Sequence, residues 1–394
     1  MAKTSQFADD PMRAHVISLG NDGHLESDSS KTRYATTPDD VEAILAEYRA
    51  ATRDWAHPRL ALLAHGGLVT EEQAVDNLRE HVVPSLLSAH IYPLALVWHT
   101  DVPTTLFNLA DDAAGAVPLS SAAELRAQAE RATAAVQDEP SPAPPEPGEK
   151  VAPRRSLAES LFDLAADISD DLREHHTGIA KFKDETVESV AHVGAFLWDK
   201  MKQNAETSTV DDDGGARFLI DRIVANKLGG HLHLVGHSAG SIMLAYLVAH
   251  CVDQRLKLRS CTLWAPACSV DLARGTYLRA FENGKIGYFQ LQTLTPEAEI
   301  EDNCKGIYGH SLLYLVSNSF EHWSHRDRDY AKPLLGLTVC VEGDQAFSEM
   351  FTKPHASWVQ QPFFPTGDTS AHGLFSGSPI VFNETIDWIH KSDS

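Results

Sequence analysis

The sequence predicts an α/β fold: a mostly parallel central sheet covered by helices on both faces, with a largely helical insertion. Three observations carry this expectation. Short apolar runs alternate with segments of helical apolar spacing, the trace left by parallel strands that are buried on both faces. Hydrophobic residues make up 43% of the 394 residues, enough for a large core. One glycine-flanked serine, Ser238, sits between an apolar strand pattern and an apolar helix pattern.

Taken in order, the first strand is expected at 15–19 and a helix near 39–50. The run RLALLA at 59–64 reads as a buried strand, and His65-Gly66-Gly67-Leu68 follows it directly. Thr70 and Gln73 stand three apart, as a capping box requires, ahead of a helix with Val75, Leu78, Val82 and Leu86 on one face. The next strand, PLALVW, covers 93–98.

Composition then changes, so the chain is divided into 1–101, 102–215 and 216–394. The outer two parts are the halves of the α/β core. Within 102–215, residues 137–153 are rich in Pro and Glu and suit a flexible or extended segment. Helical spacing follows, through Leu157, Leu161, Leu164, Ile168 and Leu172, then Val190, Val193, Leu197 and Met201. This part is expected to be an insertion, either a lid over the sheet or a helical appendage.

The sheet pattern resumes after Gly229-Gly230. Strands are expected at 231–235, 258–264, 288–293, 335–342 and 358–364. Helices are expected at 238–251, near 270–282 and near 311–320, with a last one starting at Ser378-Pro379 and burying Val381, Ile386 and Ile389.

Net charge narrows the function classes. With 55 acidic and 33 basic residues the chain carries −22, a surface that repels phosphate backbones and argues against nucleic-acid binding. Five cysteines, Cys251, Cys261, Cys268, Cys304 and Cys340, form no CxxC pair, which suits reduced thiols in a cytoplasmic protein. The first ten residues lack an apolar signal-peptide core, and no apolar run is long enough to span a bilayer.

Gly236-His237-Ser238-Ala239-Gly240 fits G-x-S-x-G, and it lies where that motif has meaning, between a strand and a helix. A turn that tight forces the serine into a strained backbone and pushes its hydroxyl out at the carboxyl edge of the sheet. The helix N-terminus beneath it favours an oxyanion. A serine hydroxyl needs a base, and an imidazole titrating near neutrality can take its proton and return it. Among the 20 histidines, His372 in Ser370-Ala371-His372-Gly373 lies after the last strand and before the last helix.

On these motifs the chain resembles the α/β-hydrolase family over most of its length outside the insertion. The resemblance implies a Ser–acid–His triad in that chain order and hydrolysis of an ester, thioester or amide. Ser238 matches the nucleophile and His372 the base. The backbone N–H of Ala239 matches one oxyanion donor, and the His65-Gly66-Gly67 segment implies the second, at Gly67 or at Leu68. The acid is left open between Asp302, favoured, and Asp344, with Asp271 and Glu299 further off.

The expected activity is that of a carboxylesterase-like serine hydrolase acting on a small-molecule ester or acyl substrate, without a cofactor. Alternatives on the same fold are a thioesterase, an acyltransferase or a non-catalytic binding module that uses the insertion. His231, His233 and His237 lack the spacing of a metal motif, so no metal is expected.

Overall fold

The computed structural model describes residues 7, 9–66, 70–98, 192–302, 310–321, 332–366 and 369–394. The chain divides into two compact units, one of Met1–Thr100, Met201–Asp302 and Pro333–Ser394, the other of Asp101–Lys200 and Asn303–Lys332. The expected Pro-rich segment 137–153 and the helical spacing through Leu172 lie outside the described residues.

Seven strands build one sheet in the first unit: β1 (Val16–Leu19), β2 (Arg59–Ala64), β3 (Ile91–Trp98), β4 (Leu232–His237), β5 (Leu258–Trp264), β6 (Ile286–Leu294) and β7 (Ala356–Gln361). Their order is β1-β3-β2-β4-β5-β6-β7 and every pair is parallel. The fold is therefore α/β, in an arrangement compatible with an α/β-hydrolase.

All eight residues of β3 are buried, which requires cover on both faces of the strand. Register lines up Leu94, Leu62, Leu234, Cys261 and Phe289 as one row across five strands. None of the five is exposed at all. Each such leucine stabilises the fold by roughly 1.5–3 kcal/mol relative to an exposed one.

The helix Gly240–Asp253 packs on β2 and β4 through an almost wholly apolar surface that includes Ile242, Leu244 and Val248. The helix Pro379–Ser392 packs on β5 and β6, where Trp264 Nε1 donates to Thr385 Oγ1 at 3.0 Å. It begins where Ser378-Pro379 predicts, with Val381 and Ile389 buried. Thr70 and Gln73 form the expected capping box at the head of the helix Glu71–Asn77.

One predicted strand is a helix. Residues 335–342 read as extended because of Thr338, Val339 and Val341, yet Thr338–Glu342 is helical. The edge beside β6 is filled instead by β7. Thr338 is held by Oγ1, which donates to Leu294 O at 2.6 Å, so this segment caps the end of β6 rather than extending the sheet. Tertiary position overrode local β propensity.

The second unit's described residues include a small core of their own. Trp198 Nε1 donates to Glu321 Oε1 at 2.6 Å, and the Trp198 ring lies 6.2 Å from that of Phe320. Among the described residues no helix is long and apolar enough to cross a membrane.

Candidate active site

β2 and β4 lie side by side, with Ala64 opposite Gly236. From β2 the chain moves on to β3 on one side, and from β4 it moves on to β5 on the other. Reversals of this kind open a crevice outside the carboxyl ends of the strands. His65-Gly66 and His237-Ser238 stand at that reversal.

Ser238 has φ +51. Four other described non-glycine residues share the sign. His90, Lys227 and Arg255 follow helix ends, where a left-handed residue is an ordinary cap, and Ala265 follows β5. Ser238 is at a strand end entering a helix, where the conformation is strained by about 1–3 kcal/mol. The surroundings hold it there. Its N–H donates to Trp264 O at 3.0 Å, and its carbonyl accepts from Ser241 N at 3.0 Å, Ser241 Oγ at 2.6 Å and Ala267 N at 3.0 Å.

Two glycines let the backbones close. A Cβ on Gly240 would lie 2.1 Å from Ala64 O, so only glycine allows the helix start to touch the end of β2. A Cβ on Gly66 would lie 3.2 Å from Ser238 Cβ and 3.4 Å from His237 Nδ1. Gly66 thus packs directly on the serine. Ala239 is the N-cap of the helix Gly240–Asp253, beside N–H groups that have no intrahelical acceptor. Gly67 and Leu68 lie outside the described residues.

His372 opens the 3-10 turn His372–Gly377 beyond β7 and is buried. Its ring stacks on that of His237, with centroids 5.1 Å apart and planes 28° apart. Phe375 from the same turn stacks on His237 at 6.3 Å. Neither nitrogen of His372 has a hydrogen-bond partner, and neither does Nε2 of His237.

Burial pushes His372 well below the usual histidine range, and the His237 ring adds to the fall. Burial likewise pushes His237 down to about 4, the His372 backbone opposing and His65 assisting. Both rings are neutral at pH 7, the form a general base needs.

Asp302 ends the helix Pro296–Glu301 that follows β6, and it is fully buried. Its Oδ2 accepts the backbone N–H of His372 at 3.2 Å. Asp344 is occupied differently. Its Oδ1 accepts from Ala346 N at 3.0 Å and Phe347 N at 3.1 Å as a helix N-cap, and its Oδ2 pairs with Arg274. Asp271 is exposed and lies 3.5 Å from Arg274, and Glu299 is buried on the same short helix that Asp302 ends. The structure therefore sets Asp302 on the His372 backbone and the His372 ring on His237, the residue before Ser238, and it sets Asp344 to capping.

Two contacts gave no sign of themselves in the sequence, the Ser241 bond to Ser238 and the stacking of His237, although His237 itself stands in the motif. Ser241 was hidden because its bond back to Ser238 is a property of the turn, and the His237 ring because stacking across 135 positions leaves no local pattern.

His231 and His233 lie at the opposite end of β4. Nδ1 of His231 is 2.9 Å from Asp393 Oδ1, and Nδ1 of His233 is 2.9 Å from Ser260 Oγ. Among the described residues, the one group with metal-ligand proximity is His24, Asp211 and Asp213, whose aspartates are exposed. No family model, no curated protein and no solved structure matches this chain.

Proposed function

We propose that this protein is a serine hydrolase of the α/β-hydrolase type that cleaves an ester-type bond, with Ser238 as nucleophile. The observation that carries the reading is the left-handed backbone of Ser238 at the strand-to-helix turn beside the β2–β4 reversal. A strained serine at that place has a chemical use, since the turn presents Oγ to a crevice beside a helix N-terminus.

In the proposed reaction Ser238 Oγ attacks the substrate carbonyl while His372 takes its proton. His372 then returns that proton to the leaving alkoxide, which departs as the alcohol and leaves an acyl-enzyme. Water attacks the acyl-enzyme with His372 again as base, releasing the acid and restoring Ser238. Backbone N–H groups of Ala239 and Gly67 hold the oxyanion, each contributing about 10²–10³ in turnover. Asp302 is the acid. In the resting arrangement its carboxylate holds the backbone of His372, so the imidazole turns to bring one nitrogen to Asp302 and the other to Ser238. Catalytic hydrogen bonds commonly tighten only when substrate binds.

A second reading is a non-catalytic binding module on the same fold. The hydrogen-bond-free imidazole of His372 is the observation that favours it. A fluorophosphonate probe separates the two. The hydrolase reading expects covalent labelling of native protein and none of Ser238→Ala, with matching circular dichroism. Absence of labelling in both, with the fold intact, would favour the binding module.

A further inference from the structure

We propose that His237 is a positioning residue, the shelf against which the His372 ring lies and turns as it engages Ser238; this rests on the hydrolase reading above. Three observations lead there. His237 stacks with two rings of one turn, His372 at 5.1 Å and Phe375 at 6.3 Å, with planes 28° and 27° from its own. Whatever ring stands at 237 therefore sets where that turn places His372. Gly66 packs close to the same ring, since a Cβ there would lie 3.4 Å from His237 Nδ1. Finally, His372 has no hydrogen bond from either ring nitrogen, so the stack on His237 is the one ring contact described that defines its plane.

A flat neighbour suits a base that must turn. Hydrogen bonds would fix one rotamer, whereas a stacked face tolerates rotation in its own plane while holding the ring against His237. The groups facing His237 are His372 and Phe375 from the turn and His65 and Gly66 from the end of β2. Asp302 faces the pair from the helix after β6, through the His372 backbone. Burial among these groups leaves the His372 ring unprotonated at rest, the form that can accept a proton.

The test compares native protein with His237→Phe, which keeps a flat ring, and His237→Ala, which removes it. Two readouts are used: imidazole nitrogen shifts of His372 by NMR across pH 4–8, and hydrolysis of p-nitrophenyl acetate across pH 5–9. His237→Ala is expected to move the His372 titration upward toward 6.5, because water reaches the ring. It should also lower kcat by about 10- to 100-fold with KM little changed. His237→Phe should keep kcat within about threefold of native, since its ring replaces the shelf.

An unmoved His372 titration and kcat in His237→Ala would overturn the proposal. So would a His237→Phe protein as impaired as His237→Ala. Should the alanine variant fail to fold, His237→Phe is judged against native protein, and a kcat more than about tenfold below native would overturn the proposal. If native protein neither hydrolyses the ester nor labels with fluorophosphonate, the hydrolase reading fails by itself, and the NMR titration still decides whether His237 governs the His372 ring.

Discussion

The two ends of β4 carry histidines of opposite character. At the amino end His231 and His233 meet Asp393, the residue after the helix Pro379–Ser392, at 2.9 Å and 3.7 Å. Arg59 from β2 at 2.7 Å and Arg259 from β5 at 3.8 Å complete the cluster. Burial raises the pKa of the Asp393 carboxyl, but hydrogen bonds from His233 and His231 more than offset it and hold the group well below the carboxylate range. At the carboxyl end His237 and His372 are as deeply packed, yet three of their four ring nitrogens make no hydrogen bond. Buried polar atoms are normally paired, because leaving one unpaired costs about 1–3 kcal/mol. One end of the strand spends its histidines on tying the C-terminal helix to the sheet. The other keeps them uncommitted beside a strained serine, where a ligand or a transition state could use them.

Substitutions at the two ends should therefore separate activity from stability. The largest effect is expected at the carboxyl end. Asp302→Asn should lower ester turnover by about 10³–10⁴ while leaving the urea midpoint close to native; loss of stability without loss of turnover would assign Asp302 to structure alone.

Asp393→Ala should do the reverse. Removing the carboxylate leaves Arg59, a partner only 13% exposed, without its partner, at a cost of about 3 kcal/mol in urea unfolding, with turnover per folded molecule preserved. Equal damage to activity would erase the distinction between the two ends.

Acid should expose the cost of the buried rings at both ends. His15, His233, His237 and His372 all have pKa values lowered chiefly by burial. Each binds a proton more readily unfolded than folded, so stability is whole above about pH 6.5 and declines as pH falls below it. His237 alone accounts for about 3 kcal/mol of that loss by pH 4, given its fall to about 4. A urea midpoint unchanged between pH 7.5 and pH 5 would contradict this. Asp344→Ala should have the smallest effect, about 1 kcal/mol for a lost N-cap, and no change in turnover. A collapse of turnover there would return Asp344 to the reaction.

Sequence by itself determined the α/β class, six of the seven strand positions to within two residues, and the strand–turn–helix setting of Ser238. Apolar periodicity and glycine spacing are local, and each of these features is written in a window of about ten residues. Only the tertiary structure decided which carboxylate stands beside His372. Asp302 and Asp344 look alike as loop aspartates after apolar runs; what separates them is that 338–342 caps β6 as a helix while β7 takes the sheet edge. The stack of His237 on His372 was likewise beyond reach of the sequence, because it joins the end of β4 to a turn that follows β7, and those two strands are separated by β5 and β6 in the sheet.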